Sequence, residues 1–371
     1  MTMKAAVVTR PQHVEVQMRP VPQPNEKDAV IKIEMCGICG TDVHLFYTPE
    51  SFPLPMKMPY VLGHEYVGTI VEKGSRFPTV DHLGNSIGLG DRVVYINLNC
   101  GQCYACRTLL APWLCMGGVF DDPGEEGMGA FAERFYIKGE GLIYRVPDEV
   151  PTEVAVLVDP IGIALAAVQR AHRPGTPDRL DGLGLGQTVV VQGAGAIGAS
   201  AAALAKLSGA TQVIVIGAPQ GRLDICKRLG ADHVINIDDV TDPAERLEAV
   251  QALTPHRLGA DVVIEAAGIP QAFGEALELA RRGGTIVEVG SFTRQGTIEF
   301  DPSLLCYKHL NIHGSWTLPP AAFGMVLEVM RAFHERVPFS EMITHRFDLD
   351  GVREGLETSR RLEALKAVVV P

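Results

Sequence analysis

The sequence predicts an α/β protein that combines a doubly wound parallel sheet with a second, β-rich domain. From about residue 162 to 315, apolar strands alternate with helices, a pattern typical of parallel sheets. A glycine-rich turn follows the first of these strands. Before them, residues 1 to about 75 form short strand patterns separated by proline-rich turns. The 371 residues suffice for two domains with their own cores.

Two short segments in the first part of the chain, Gly37–His44 and Gly63–Glu65, concentrate residue types that bind metals. Cys39 and His64 are ligand types of a catalytic zinc, which keeps one position open for water or substrate. Glycines between them allow the backbone to turn tightly around a small ion. Neighbouring groups that are not ligands would then move a proton, namely Thr41 and His44.

The same residues have other interpretations. Cys36 and Cys39 form a Cys-x-x-Cys, which in a thioredoxin-like βαβ setting is a redox pair. No such pattern surrounds it, and Cys36 ends an alternating run from Ala29, so a buried strand position is favoured for Cys36. A single histidine is often a core residue, but Glu65 and the flanking glycines favour a metal ligand at His64.

The segments Gly37–His44 and Gly63–Gly68 resemble the signature of the zinc-dependent medium-chain alcohol and polyol dehydrogenases. The resemblance covers nearly the whole chain, with the motifs in the family's order. It implies a GroES-like catalytic domain into which a Rossmann cofactor domain is inserted. The expected bounds are 1–161 for the catalytic domain, 162–315 for the Rossmann domain and 316–371 for the return to the catalytic domain.

The resemblance also implies a role for each polar residue of the two segments. Cys39 and His64 are expected to bind the catalytic zinc, and Glu65 to be a nearby carboxylate that coordinates transiently. Asp42 is expected to orient His64 without binding the metal itself. The proton relay consists of Thr41 and His44.

A third ligand of the catalytic zinc is expected at Asp159. A carboxylate inside the apolar run Leu157–Gly162 is costly unless it is paired or bound to a metal. The family places a Cys, Asp or Glu ligand at the matching position. The alternative role is that of a helix N-cap, which aspartate also favours.

A second metal site is predicted between residues 100 and 115. Four thiols there suffice for a closed tetrahedral site, as in a structural zinc: Cys100, Cys103, Cys106 and Cys115. The cluster resembles the family's structural-zinc loop, except that eight residues rather than the commoner seven separate the last two cysteines. The loop Arg107–Leu114 is expected to absorb the extra residue. A metal-free lobe is the alternative.

The cofactor site is predicted at the glycine-rich turn after the buried strand Thr188–Gln192. A Gly-x-Gly-x-x-Gly between a strand and a helix admits a pyrophosphate to the helix N-terminus. Further strands are predicted at 212–216, 233–237, 261–265 and 285–289, which makes this part a Rossmann domain. The turn comprises Gly193, Gly195, Ala196, Ile197 and Gly198.

The end of the second Rossmann strand bears on the choice between NAD and NADP. Gly217 stands where an acidic residue would bind the adenosine ribose of NAD. No carboxylate there repels a 2′-phosphate, and Arg222 is placed to contact one, which favours NADP slightly. Arg222 has an alternative role as a solvated residue at the start of the next helix.

Composition excludes several classes of partner and location. A net charge of -11 and a pI near 5.5 argue against a nucleic-acid partner, which requires a basic face. The apolar run Ala5–Val8 is too short for a signal segment, and Val154–Val168 is interrupted by Asp159 and Pro160, so no membrane span is expected. A cytoplasmic protein whose eight cysteines are reduced or bind metal is expected.

Other segments have less specific patterns. The proline-rich segment Tyr47–Tyr60 cannot be a regular helix and is either a rigid surface loop or a wall of a substrate pocket. Gly117–Gly129 is predicted to be an exposed connector, Leu318–Val337 a helix, and the tail Glu363–Val370 a strand. An edge strand near Thr297–Phe300 is a candidate for pairing between subunits of a homodimer or homotetramer.

Together these features predict a zinc-dependent alcohol dehydrogenase or carbonyl reductase. It would transfer a hydride between a small-molecule alcohol or polyol and NAD(P), use two zincs per chain, and hold its site in the cleft between the domains. A zinc-free quinone or enone reductase of the same fold would need neither Cys39 nor His64. A sugar or cyclitol dehydrogenase of a biosynthetic pathway is a further alternative, because the motifs do not encode the substrate. Thr41 and His44 argue against a binding protein without catalysis.

Overall fold

The computed structural model of the protein describes residues 1–51, 58–96, 100–115, 129–172, 183–293, 296–319 and 321–371. These residues divide into two compact units. The first comprises Met1–Asp159, Leu318–Glu335 and Ile343–Pro371, and the second Pro160–Thr317 and Arg336–Met342. Their assignment as catalytic and cofactor-binding domains remains a prediction.

Sixteen strands are present in the described ranges. They are β1 (Thr2–Arg10), β2 (His13–Pro20), β3 (Ala29–Gly37), β4 (Tyr60–Val61), β5 (Glu65–Lys73), β6 (Arg92–Ile96), β7 (Arg134–Ile137), β8 (Leu142–Arg145), β9 (Thr188–Gln192), β10 (Gln212–Gly217), β11 (His233–Asn236), β12 (Ala260–Glu265), β13 (Ala280–Glu288), β14 (Asn311–Gly314), β15 (Ile343–Phe347) and β16 (Lys366–Val369).

Eleven α-helices accompany them in the same ranges. They are α1 (Gly40–Tyr47), α2 (Tyr104–Arg107), α3 (Thr152–Ala155), α4 (Val158–Ala171), α5 (Ala196–Leu207), α6 (Gln220–Leu229), α7 (Pro243–Leu253), α8 (Pro270–Leu279), α9 (Ser303–Lys308), α10 (Ala322–Phe333) and α11 (Val352–Arg360). None of the described helices is both long and apolar enough to cross a membrane.

The first unit is built mainly from two sheets that share one core. One sheet has the order β2-β1-β4, and the other β15-β16-β3-β5-β6-β8, with β7 also paired to β3. Strand β3 lies in the middle of the larger sheet, and most of its side chains are buried on both faces. This explains why its sequence is rich in Val, Ile and Met. The hydrophobic core of the first unit includes Val7, Ile31, Ile70 and Phe131.

The second unit contains a six-stranded parallel sheet in the order β11-β10-β9-β12-β13-β14. Numbered by their order along the chain, these strands run 3-2-1-4-5-6, the arrangement of a Rossmann sheet. Every residue of β9 is buried, as expected for a central parallel strand. The strand order reverses between β9 and β12, and dinucleotides bind at the carboxyl ends of strands at such a point.

The predicted fold class is confirmed, with α/β architecture and both sheet types present. The predicted Rossmann strands are found with end shifts of a few residues, and the helix predicted at Leu318–Val337 is the shorter α10. The edge strand predicted near Thr297–Phe300 is wrong, because these residues form no strand and β14 is the edge. Gly296, at φ +126°, and the start of α9 after Pro302 flank this segment.

Two predictions concern residues that the structure does not describe. Residues 52–57, the middle of the proline-rich segment Tyr47–Tyr60 considered as a pocket wall, lie outside the described ranges. Residues 116–128, nearly all of the predicted exposed connector, also lie outside them.

Candidate active site

Strand pairing brings the two metal-binding segments together. Gly37, at the end of β3, pairs with Glu65 at the start of β5, so the residues just beyond these strand ends become neighbours. Cys39 caps the N-terminus of α1, and His64 immediately precedes β5. On the other side of β3, Gly37 pairs with Val368 of β16. The site therefore lies where three strands and one helix meet.

The ligand atoms of Cys39, His64 and Glu65 lie within 4.8 Å of one another. Ligand atoms about 2.0–2.3 Å from a tetrahedral zinc lie roughly 3–4 Å apart, so small side-chain adjustments suffice for one ion to contact all three. A thiolate, an imidazole and a carboxylate are all zinc ligands. The residues present therefore fit a catalytic zinc.

Asp159 is not part of that three-residue cluster. It lies in the first turn of α4, inside the helix rather than at its N-cap, so the alternative role as a cap is wrong. Burial, followed by the charge of Glu65, raises the pKa of Asp159 to about 6, while His64 lowers it. Asp159 is thus close enough to the cluster to interact with it electrostatically.

Asp42 connects the two halves of the site. It is almost fully buried, with 1% exposure. Its Oδ2 accepts a hydrogen bond from the Cys39 amide at 2.8 Å, and its Oδ1 accepts one from the Gly63 amide at 3.0 Å. The same Oδ1 lies 3.4 Å from Nδ1 of His64. This contact orients the imidazole and leaves Nε2 as the nitrogen available to a metal.

The electrostatics around His64 favour a cation. Desolvation lowers the pKa of His64, but the charges of Asp42 and Cys39 outweigh it and hold this pKa well above its usual value. A proton on the imidazole is one way to balance these anionic groups. A bound metal ion would replace that proton and supply the positive charge instead.

Sequence analysis missed a buried lysine next to these residues. The ammonium of Lys366 in β16 forms an ion pair with Glu65 Oε2 and donates a hydrogen bond to the Ile38 carbonyl at 3.1 Å. Lys366 and Glu65 are only 4% and 2% exposed. Burial alone would lower the pKa of Lys366, but Glu65 and Cys39 raise it above its usual value. A lone cation in the apolar tail Ala364–Val370 was the available signal.

The two residues of the predicted proton relay both lie on α1. The hydroxyl oxygen of Thr41 is 3.7 Å from the sulfur of Cys39, so it borders the cluster of Cys39, His64 and Glu65. His44 is half-buried one turn further along the helix, and burial lowers its pKa below the usual 6.5. A lowered pKa keeps the imidazole neutral, and thus able to accept a proton, near neutral pH.

The four cysteines of the second lobe form a compact cluster. Their sulfur atoms all lie within 4.8 Å of one another, with 3.5 Å between Cys103 and Cys106 and 3.5 Å between Cys100 and Cys115. These separations exceed the ~2.05 Å of a disulfide and suit four thiolates around one zinc. The loop that carries the extra residue turns at Leu110, which is exposed and adopts φ +51°.

The glycine-rich turn has the close contacts that a dinucleotide site requires. Gly193 adopts φ +102°, and a Cβ there would lie 2.7 Å from the Ala266 carbonyl oxygen. Gly195 caps α5, and a Cβ at Gly198 would overlap the carbonyl of Gly193. The other predicted residues of the turn, Ala196 and Ile197, are the first two residues of α5.

Gly217 and Arg222 follow at the end of β10 and the start of α6. A Cβ at Gly217 would lie 2.9 Å from Cβ of Ala194, so the strand end packs directly against the glycine-rich turn. Arg222 lies in the first turn of α6 and is buried, so the alternative of a solvated residue is wrong. Burial lowers the pKa of Arg222 from its usual value.

Two family models match the chain. The alcohol dehydrogenase GroES-like domain matches residues 25–148, and the zinc-binding dehydrogenase domain matches residues 196–332. The chain is also 32% identical over 368 residues to 5-exo-hydroxycamphor dehydrogenase from Pseudomonas putida, which covers 99% of this chain and 98% of that protein. The chain belongs to the zinc-dependent medium-chain dehydrogenases.

Solved structures agree with this assignment. The structure of an alcohol dehydrogenase from Thermotoga maritima aligns with this dehydrogenase over 100% of each chain, with a TM-score of 0.88 and 27% sequence identity. A zinc-binding dehydrogenase from Sinorhizobium meliloti, bound to NADP, covers 100% of both chains with a TM-score of 0.85 and 26% identity. An Escherichia coli alcohol dehydrogenase complexed with NADH covers 100% of this chain and 99% of that one, with a TM-score of 0.81 and 25% identity.

The predicted family and enzyme class are therefore confirmed. This dehydrogenase is an oxidoreductase that acts on CH–OH groups with NAD(P).

Proposed function

We propose that this dehydrogenase interconverts an alcohol and a carbonyl compound at a zinc held by Cys39, His64 and Asp159, with Glu65 as a carboxylate that coordinates transiently. The observation that carries the proposal is the convergence of the Cys39, His64 and Glu65 ligand atoms within 4.8 Å. When bound, the zinc acts as a Lewis acid that lowers the pKa of the alcohol, and the nicotinamide accepts the hydride. The same convergence argues against a zinc-free quinone or enone reductase, which would not need these residues.

The chain's own residues hold the ligands and move the proton. Asp42 fixes the imidazole of His64 through its 3.4 Å contact with Nδ1. Thr41 relays the proton that leaves the alcohol: its hydroxyl, which borders the metal ligands, accepts that proton while it donates its own onward. His44 receives the proton at the end of the relay, since its lowered pKa keeps it neutral.

The four-cysteine lobe would hold a second, structural zinc. Desolvation and the neighbouring thiols Cys103 and Cys115 raise the pKa of Cys106 to about 11, so the sulfur of Cys106 keeps its proton when no cation is near. A zinc ion displaces such protons and is balanced by the thiolates. All four ligand positions are then filled by the protein, which leaves no place for substrate.

For the cofactor we retain the slight preference for NADP. Gly217 provides no carboxylate to repel a 2′-phosphate, and Arg222 lies in the first turn of the next helix. The proposed cofactor contacts are the glycine-rich turn from Gly193 to Gly198, with Gly217 and Arg222.

Assembly and location are also proposals. A homodimer or homotetramer is supported by the exposed edge of the parallel sheet at β14. A cytoplasmic location is supported by eight cysteines that are free thiols in the described residues. The substrate class is small-molecule alcohols, with polyols, sugars and cyclitols included.

Metal content and cofactor binding, measured on one sample, test the proposal. Elemental analysis is expected to give two zincs per chain for the native protein and one for a Cys106→Ser variant. Fluorescence titration with NADH and NADPH is expected to show binding of both, tighter for NADPH. A native protein with one zinc or none and no requirement for metal in turnover would instead support the zinc-free reductase.

Replacing His44 by Gln tests the proton relay. Alcohol oxidation is expected to slow by about 10²-fold at neutral pH, because the variant has no group to accept the proton. Burial lowers the pKa of His44, so native turnover should stay level as pH falls to 6.5 and decline only below it, where the imidazole becomes protonated. A pH profile of turnover for both proteins checks this. A variant with the native rate and profile would exclude His44 from the relay.

A further inference from the structure

Two glutamates stand opposite each other at the carboxyl edge of the parallel sheet. Glu265 ends β12 and Glu288 ends β13, and the strand register pairs them directly. Glu265 has no exposed surface. Neither residue takes part in the catalysis proposed above. Two carboxylates in such contact repel each other when both are charged.

Each glutamate uses one carboxylate oxygen to hold its own turn. Glu265 Oε1 accepts hydrogen bonds from the amides of Ala267 at 2.8 Å and Gly268 at 2.9 Å. Glu288 Oε1 accepts one from the amide of Ser291 at 2.9 Å. The remaining oxygens, Oε2 of Glu265 and Oε2 of Glu288, are buried and have no donor among the described residues. A single proton between the two carboxyl groups would give both oxygens a partner.

Among the described residues, none supplies a countercharge in place of that proton. On one side Glu265 pairs with neutral Gln192 of β9, and on the other Glu288 pairs with Gly314 of β14, which has no side chain. His313 of β14 is in register with Val287, whose side chain lies on the opposite face of the sheet from Glu288. Ionised groups on the adjoining elements are paired elsewhere: Glu275 with Arg246, Glu278 with Lys308, Asp261 with Arg281, and Lys206 of α5 with Asp232, while Arg282 stacks on Tyr307.

The same glutamates join two turns that adjoin the cofactor site. The carbonyl of Glu265 accepts hydrogen bonds from the amides of Val289 and Gly290, both at 3.0 Å. Gly268 adopts φ +74°, and a Cβ there would lie 2.6 Å from the Gly290 carbonyl oxygen, so the two turns pack backbone against backbone. The first turn in addition rests on the glycine-rich turn, where Gly193 approaches Ala266.

We propose that Glu265 and Glu288 share one proton, and that this proton locks the turns 266–268 and 289–291 against the glycine-rich turn in the arrangement that binds the dinucleotide. Glu288 is then a positioning residue for the cofactor. The inference rests on the proposed cofactor site, which lies at the same edge of the sheet.

The shared proton makes stability and cofactor affinity depend on pH in a defined direction. Burial, followed by the hydrogen bond with Glu288, raises the pKa of Glu265 from 4.5 to about 8. Between these values the unfolded chain has released a proton that the folded protein retains, so stability falls as pH rises from about 4.5 to about 8. Above about 8 both carboxylates are charged and push the two turns apart.

A Glu288→Gln variant tests the inference, because its amide donates permanently to Glu265 without a titrating proton. The dissociation constant of NADPH is expected to rise about tenfold from pH 7 to pH 9 in the native protein, the loss for one linked proton with a pKa of about 8. In the variant it should rise less than about twofold. Glu335→Gln, which removes the same charge from an exposed residue, should behave as the native protein.

Two measurements without cofactor separate the parts of the inference. Infrared spectra should show a protonated carboxyl band at pH 7 that is absent from Glu288→Gln, and thermal denaturation should show a weaker pH dependence for the variant. Native-like spectra and denaturation curves in the variant would overturn the shared proton. The link to the cofactor would be overturned by a different result: infrared spectra and denaturation curves of Glu288→Gln as expected, but NADPH binding with the same pH dependence as in the native protein.

The failure of the proposed function would look different. If the native protein bound neither NADPH nor NADH at any pH while the infrared and denaturation results held, the cofactor site itself would be wrong, and with it the role of Glu288 in positioning. Should Glu288→Gln not fold, Glu265→Gln makes the same test, because its amide can donate to Glu288 while its oxygen keeps the two backbone hydrogen bonds.

Discussion

Turnover of an alcohol by a Cys39→Ser variant is expected to fall by about 10³-fold or more, with the loss of one of two zincs. The serine hydroxyl is not ionised near neutral pH and is a poor zinc ligand compared with a thiolate. A Lewis acid contributes several kcal/mol to the stabilisation of charge on the substrate oxygen, and each 1.36 kcal/mol corresponds to a factor of about ten in rate. Steady-state kinetics and elemental analysis on the same preparation measure both losses.

Cys306→Ser is the matched control for that experiment. Cys306 is an exposed thiol on α9. It belongs neither to the four-cysteine cluster nor to the cluster of Cys39, His64 and Glu65, so its replacement should change neither zinc content nor turnover. Full turnover by Cys39→Ser with two zincs bound would show that Cys39 is not a ligand. Loss of both zincs would show that the variant disturbs the fold rather than one site.

Replacing Lys366 by Met is expected to lower the free energy of unfolding by about 3–5 kcal/mol. The methionine fills a similar volume but leaves the carboxylate of Glu65 buried at 2% exposure without its cation, and an unpaired buried charge is costly. Urea denaturation of the metal-free native and variant proteins measures the difference, because a zinc ion beside Glu65 would itself supply a positive charge. Lys366→Arg keeps the charge and should lose less.

Two further variants separate charge from packing in that result. Lys32→Met, on the exposed position of β3, should change stability by no more than about 0.5 kcal/mol. The double variant Glu65→Gln with Lys366→Met should be more stable than Lys366→Met alone, because it removes the unpaired charge. A Lys366→Met variant as stable as the native protein would mean that the ion pair with Glu65 contributes little.

Most of the fold could be predicted from the sequence because it follows from local patterns. The strand Thr188–Gln192 and the turn after it were found from an apolar run and three glycines, and the structure places both as expected. The candidate metal ligands Cys39 and His64 could be identified because each lies in a short motif. Strand pairing then brings Cys39 and His64 together, but the motifs alone do not predict how far apart their ligand atoms lie.

The contacts that the sequence did not predict join residues far apart in the chain. Lys366 reaches Glu65 only because β16 lies beside β3, and Glu288 meets Glu265 only because β13 lies beside β12 in register. A charged residue in an apolar strand signals that a partner exists, but the partner depends on strand order. The role of Asp159 was ambiguous for a different reason, because caps and ligands favour the same residue type.

The ion pair between Lys366 and Glu65 also determines when the site can be completed during synthesis. Glu65 leaves the ribosome about 300 residues before Lys366, and the whole parallel sheet from β9 to β14 is made in between. The second unit can therefore fold on the nascent chain while Glu65 still lacks its cation. A nascent chain that does not yet contain β16 holds Glu65 without Lys366, so this ion pair forms only after the strands of the second unit have been made.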